Sequence, residues 1–148
     1  MPYLRITCPQ IDAPRRRAIA TSLTDAVIEL FFNPRAPVTR EQLRERTTVH
    51  FCMYGDAELF IGGRTPDERG VADVTVELSD WSMSVGMQRR IAAQLTPLLG
   101  VLFNVREQDI DNLNIRFHSY SPAAFAVGGK LLSDIVPRFG RFMKRLSS

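Results

Sequence analysis

The sequence has the length and composition of one ordinary globular domain. It contains 148 residues, 45% hydrophobic and 24% charged, with a formal net charge of +3. A chain of this length usually forms one domain with a sizeable core, so we expect residues 1–148 to form a single domain. It has no apolar run of about 18 residues and no signal-peptide pattern at its start, so we predict no membrane partner.

The positive charge is concentrated at the C-terminal end. Residues 130–148 carry five basic side chains and one acidic side chain, so the rest of the chain has a net charge of −1. A nucleic-acid-binding protein more often spreads basic residues over its folded face, so no nucleic-acid partner is predicted. Cys8 and Cys52 lack metal-site spacing and are interpreted as free thiols, which predicts no metal and a cytoplasmic location.

Apolar periodicity predicts strand, helix and strand twice in succession. The predicted elements are strands 2–8, 49–54, 72–78 and 113–120, helices 12–32 and 84–103, and a last amphipathic helix 134–147. Asp12 is the expected N-cap of the first helix, with Pro14 in its first turn. Pro97 falls inside the second helix and should kink it; its role, like that of the basic last helix, stays open.

The two halves are copies of one unit. Positions 49–64 align with positions 115–130 at a constant offset, which pairs Phe51 with Phe117, Tyr54 with Tyr120, and Gly62-Gly63 with Gly128-Gly129. Upstream the offset is six residues larger, which places an insertion around positions 33–39 of the first copy. The repeats therefore span about 2–64 and 72–130.

The repeat predicts an α/β (α+β) fold. Two strands joined by a crossover helix lie parallel, so two units give a four-stranded sheet with two helices on one face. We expect the other face to be apolar and covered by a partner subunit. The Gly-Gly pairs suit tight turns that need positive φ.

This arrangement behind Met1 and Pro2 resembles the tautomerase superfamily, which includes 4-oxalocrotonate tautomerase and macrophage migration inhibitory factor. The likeness covers about residues 2–130. It rests chiefly on MPYLRI at 1–6 and NLNIRFHSYSPAAFAVGGK at 112–130. It implies a tautomerase-like β-α-β fold, a fused two-repeat chain and a homotrimer.

The resemblance also implies that Met1 is removed and that Pro2 acts as general base and acid on a small keto or enol acid, without a cofactor. A free α-amino group has a pKa of about 8, and burial near cations would lower it towards neutrality. Such an amine can take a proton from carbon and return it elsewhere. If Met1 stays in place, Pro2 is simply the first residue of an edge strand.

Removal of a proton beside a carbonyl produces an enolate, which needs a cation or donor at its oxygen. The resemblance implies this role for Arg116, acting on a neighbouring unit's proline. Asn114 and His118 alternate with Arg116 and are predicted to face the same substrate. Arg35, after the first helix, and Phe125, as an aromatic wall, are further substrate-binding candidates.

Two features depart from the family pattern. Val74 stands where a second proline would lie, so at most three sites per trimer are expected. Neither strand-to-helix junction, 8–12 or 79–84, contains the arginine that many members use for carboxylates. A hydratase, decarboxylase or dehalogenase of the same fold, or a non-catalytic trimeric interaction protein, therefore stays open as an alternative.

Overall fold

The protein folds as two consecutive β-α-β units, as the repeat predicts. A computed structural model describes residues 1–136. Its elements are β1 (Tyr3–Pro9), α1 (Ala13–Phe31), α2 (Arg40–Glu45), β2 (Thr48–Tyr54), α3 (Pro66–Arg69), β3 (Val74–Trp81), α4 (Val85–Leu102), β4 (Leu113–Tyr120), β5 (Ala126–Val127), β6 (Lys130–Leu131) and α5 (Leu132–Ile135). Short 3₁₀ helices cover Glu107–Asn112 and Pro122–Ala124.

The four long strands form one mixed sheet in the order β2-β1-β3-β4. Strands β1 and β2 are parallel, as are β3 and β4, and the two units meet through the antiparallel pair β1–β3. Each parallel pair is joined through a crossover helix, which is the connection that parallel neighbours require. The predicted fold class is confirmed.

Helices α1 and α4 pack on one face of the sheet. The fully buried side chains come from alternate strand positions and from one stripe of each helix; the largest apolar ones are Leu4, Ile6, Ile19, Leu23, Val27, Val74, Val76, Leu78, Ile91, Leu95 and Leu99. A spacing of two in the strands and of three or four in the helices therefore produces a single shared core.

Each long helix is capped by its own N-cap and by the other helix. The Asp12 carboxylate accepts a hydrogen bond from the Arg15 backbone N–H at 2.8 Å, as predicted. The Arg15 side chain donates to the Leu102 carbonyl at the end of α4, at 3.2 Å. Reciprocally, Arg90 of α4 donates to the Leu30 carbonyl at the end of α1, at 2.9 Å. Each arginine brings positive charge to a helix C-terminus, which stabilises it.

The sheet face away from the helices is polar, so the predicted apolar face is wrong. It carries side chains from all four strands, including Tyr3, Arg5, Thr7, His50, Glu77, Arg116 and His118. Glu77 lies 3.7 Å from the Arg5 guanidinium and 3.4 Å from the His118 imidazole. The strands alternate strictly, so their apolar residues all belong to the helix-covered face and leave none for a second core.

Both Gly-Gly pairs form the predicted tight turns. Gly62 and Gly63 have φ of 60° and 77°, and Gly128 and Gly129 have φ of 56° and 80°. In the first copy the turn closes a bridge between Ile61 and Arg64, and in the second it joins β5 to β6. The left-handed backbone explains why glycine occupies all four positions.

Several boundaries differ from the prediction. The insertion after α1 leads into α2, which a Thr39–Gln42 capping box starts and which the sequence analysis missed. Strand β3 continues to Trp81 instead of ending at 78. Helix α5 ends at Ile135, because Val136 precedes a proline and is extended; the rest of the predicted helix 134–147 lies outside the described residues. Helix α4 continues through Pro97. No helix within residues 1–136 has the length and hydropathy needed to cross a membrane.

Candidate active site

A cavity of about 760 Å³ opens at the end of the sheet where β1 begins. The start of β1, the end of α1 with the loop after it, α2, the end of β3, α4 and the C-terminal hairpin all contribute to its wall. Most of the lining is apolar; the ionisable side chains among the lining residues are Glu29, Arg46, Asp80 and Arg90. The cavity therefore combines an apolar body with a few charged groups, as small-molecule sites do.

Pro2 is buried and forms part of this wall. Its carbonyl accepts a hydrogen bond from the Thr48 N–H at 3.0 Å, which ties the start of β1 to the start of β2. Leu4 and Ile6 of β1 point into the helix-covered core, and Pro2, two residues before Leu4, lies on that side of the sheet as well. The strand pairing thus holds the proline at the cavity and fixes its side of the sheet.

A buried carboxylate lies beside the N-terminus. Asp80 is 1% exposed, and within residues 1–136 it is the one buried polar or charged side chain. The N-terminal ammonium of Met1 donates to Asp80 Oδ1 at 2.6 Å. A buried carboxylate without a partner would cost several kcal/mol, so the N-terminal charge stabilises Asp80 in this position.

The turn after β3 fixes the position of Asp80. Ser82 has φ of 54°, an unusual conformation for a residue with a side chain, and its N–H donates to the Tyr120 carbonyl at 3.0 Å. The Met83 N–H donates to Ser119 Oγ at 2.9 Å. Strand β4 therefore holds the β3–α4 junction in a strained turn, and such strain is common near functional sites.

Tyr120, at the end of β4, belongs to the surroundings of Asp80. Burial, together with the Asp80 charge, raises the pKa of Tyr120 to about 12. Its ring lies 5.5 Å from that of Phe125, between centroids. The phenol therefore stays neutral at physiological pH and adds no charge to the site.

Of the six predicted site residues, Pro2 lines the cavity within the described part of the chain. Arg116 and His118 are exposed on the polar sheet face, where Glu77 is paired in register with Arg116. Asn114 donates to the Asp73 carboxylate at 3.3 Å. Arg35 is exposed in the loop whose neighbouring residues line the cavity, and Phe125 packs on Tyr120. Their predicted roles toward substrate stay predictions.

The sequence analysis missed Asp80, Arg46 and Arg90. For Asp80 a signal was present: Val74, Val76 and Leu78 alternate inward, and Asp80 continues the same series. An acidic residue at an inward strand position predicts a buried charge. Ending the strand at 78 concealed it. The two arginines carry no such signal, because loop and helix packing brings them to the cavity.

Within residues 1–136, no group of three or more His, Cys, Asp or Glu side chains is arranged to hold a metal ion. The chemistry available at the cavity is therefore that of the N-terminal nitrogen, a carboxylate and arginines. Such groups transfer protons and bind anions.

The architecture is shared with proteins of known structure. A fused 4-OT, an asymmetric trimer, superposes with a TM-score of 0.72 at 13% identity over 91% of this chain and 99% of that chain. A member of the cis-3-chloroacrylic acid dehalogenase family gives 0.67 at 17% identity over 95% and 97%. The macrophage migration inhibitory factor from Trichinella spiralis gives 0.62 at 15% identity over 87% and 98%. No protein-family model and no curated protein sequence matches the chain.

These similarities define the fold class. The chain has the tautomerase-superfamily fold in its fused, two-repeat form, and this confirms the fold inferred from the repeat. At identities below 20% the comparison establishes the fold and leaves the activity to the site itself.

Proposed function

We propose that the protein is a cofactor-independent isomerase in which Pro2, freed by removal of Met1, transfers a proton to and from a small keto or enol acid. The observation that carries this proposal is the placement of Pro2, buried in the wall of a 760 Å³ cavity that also contains charged groups. A nitrogen at this position has access to a bound molecule and is shielded from bulk water.

The chemistry depends on the processing of the chain. While Met1 is attached, the Pro2 nitrogen belongs to a tertiary amide and has no useful basicity. Removal of Met1 turns it into a secondary amine that can exchange a proton with a substrate carbon. Arg46 and Arg90 at the cavity wall are suited to bind the carboxylate of such a substrate, since guanidinium groups match its geometry.

We propose a homotrimer, in which Arg116 of one chain serves the Pro2 site of a neighbour. Two observations support this arrangement. Fused 4-OT proteins of the same fold form trimers. Within one chain, Arg116 occupies the sheet face opposite to the cavity, so it can contribute to catalysis only at another chain's site.

One observation favours a second candidate, a non-catalytic trimeric interaction protein. The Met1 ammonium is paired with a buried carboxylate, an arrangement that would stabilise an unprocessed N-terminus. In that case the cavity would be a binding site, and Pro2 would have only a structural role. A hydratase, decarboxylase or dehalogenase is the alternative within enzymes of this fold.

The deciding experiment compares processed protein with a form that retains Met1, each verified by intact mass. Both are assayed on phenylenolpyruvate, a simple enol acid, by the loss of enol absorbance. We expect activity in the processed form alone, because the amide nitrogen cannot exchange protons. Pro2→Ala, which keeps a terminal amine, should retain part of the activity. Equal rates in the processed and unprocessed forms would exclude Pro2 from the reaction.

A further inference from the structure

The buried carboxylate of Asp80 has a role that the proposed function does not use. We infer that Asp80 is the counter-ion of the Pro2 ammonium in the processed chain, so that Pro2 rests protonated at neutral pH and enters the reaction as proton donor. The inference rests on the proposed function only for its catalytic consequence; the pairing itself is a property of the folded chain.

The geometry comes from the unprocessed N-terminus. Met1 N lies 2.6 Å from Asp80 Oδ1. One residue of backbone spans at most about 3.6 Å, so the Pro2 nitrogen lies within about 6 Å of the same oxygen. When Met1 is removed, the positive charge moves from Met1 N to Pro2 N and stays within reach of Asp80. Without it, Asp80 would be left as an unpaired buried carboxylate.

Other charged groups also surround the Pro2 nitrogen. Glu29 comes from α1, Arg46 from the end of α2 and Arg90 from α4, and all three residues are exposed. The C-terminal hairpin contributes only apolar residues to the cavity wall, and Tyr120 is neutral. Water screens exposed charges strongly and buried charges weakly, so Asp80 outweighs the two arginines. This reverses the sign expected from the sequence, where nearby cations were predicted to favour the neutral amine.

The catalytic consequence is a direction for the proton. The Pro2 ammonium donates its proton to the substrate carbon, which uses the electron pair of the enol C=C bond. The enol O–H pair becomes the second bond of the carbonyl, and its proton leaves to water. Pro2 then regains a proton from water, so the cycle balances. Asp80 acts through Pro2 and is a positioning residue, since it holds the ammonium in place.

The test is a direct titration of Pro2 in the processed protein. With ¹⁵N-proline labelling, the amine nitrogen is followed by NMR from acid to alkaline pH. The wild-type midpoint should lie above about 8, the ordinary α-amino value. In Asp80→Asn it should fall by about one unit or more, the usual effect of removing an opposite charge this close. Glu29→Gln, which changes an exposed acid of the same cavity, is the matched control and should leave the midpoint unchanged.

Each outcome decides the inference. A wild-type midpoint at or below the ordinary value, or an Asp80→Asn midpoint equal to that of wild type, would overturn it. If Asp80→Asn does not fold, the wild-type midpoint alone gives the answer. Activity on phenylenolpyruvate is measured in parallel, and kcat/KM for ketonisation should fall as pH rises through the Pro2 midpoint. A shifted midpoint without activity would reject the proposed function and keep the Asp80–Pro2 pair; activity that rises with pH would reject Pro2 as resting donor.

Discussion

Replacing Arg116 with alanine separates a catalytic role in trans from a merely structural one. Arg116 is exposed on β4, with Glu77 as its register partner, and Pro2 lies on the opposite side of the sheet. The free energy of unfolding should therefore change by less than about 0.5 kcal/mol, as for most exposed sites. If Arg116 stabilises the enolate in a neighbour's cavity, kcat/KM should fall by about tenfold or more, which corresponds to about 1.4 kcal/mol of transition-state stabilisation.

The assay that isolates the role in trans is subunit mixing. Arg116→Ala chains keep a competent Pro2, and chains that retain Met1 keep a competent Arg116. Each preparation alone should be nearly inactive. After unfolding and joint refolding in equal amounts, about a quarter of the sites of a cyclic trimer should combine a free Pro2 with a neighbour's Arg116. About a quarter of the wild-type activity should then return.

Arg5→Ala is the matched control. Arg5 lies on the same sheet face and contacts the same Glu77, at 3.7 Å, but belongs to β1. We expect it to leave kcat/KM at the wild-type value. Absence of recovery in the mixed refolding, or an equal loss of activity in Arg5→Ala and Arg116→Ala, would contradict the assignment of Arg116.

Two further predictions concern stability. Burial raises the pKa of Cys8 from 9.0 to about 11 and those of Tyr54 and Tyr120 from 10.0 to about 12, so the folded state opposes their ionisation. The free energy of unfolding should therefore be constant below pH 9 with respect to these groups and fall as pH rises towards 12; urea titrations that find no alkaline loss would contradict this. Gly129→Ala, at φ of 80° in open space, should cost about 1–2 kcal/mol through backbone strain alone, whereas an unchanged urea midpoint would mean that the turn relaxes.

The sequence by itself determined the repeat, the class of each long element and the positions of the glycine turns. These features depend on local rules: Asp12 caps α1 because its side chain reaches an N–H three residues ahead, and Gly128-Gly129 is needed wherever φ is positive. The predicted bounds of β4 coincide with the observed Leu113–Tyr120, since alternation and flanking polar residues mark both ends. Pro2 as the central candidate also came from the sequence, through its place ahead of the first repeat.

Only the tertiary structure decided what surrounds Pro2. Asp80 is distant from it in the chain and becomes its neighbour because β1 and β3 pair antiparallel, Tyr3 opposite Ser79. Arg46 and Arg90 reach the same cavity from a helix end and from the second repeat. The sheet pairing likewise assigned Arg116 to the open face and made that face polar. Local periodicity fixes which side of a strand a residue occupies, but which strands become neighbours, and so which charges meet, depends on the packing of the whole chain.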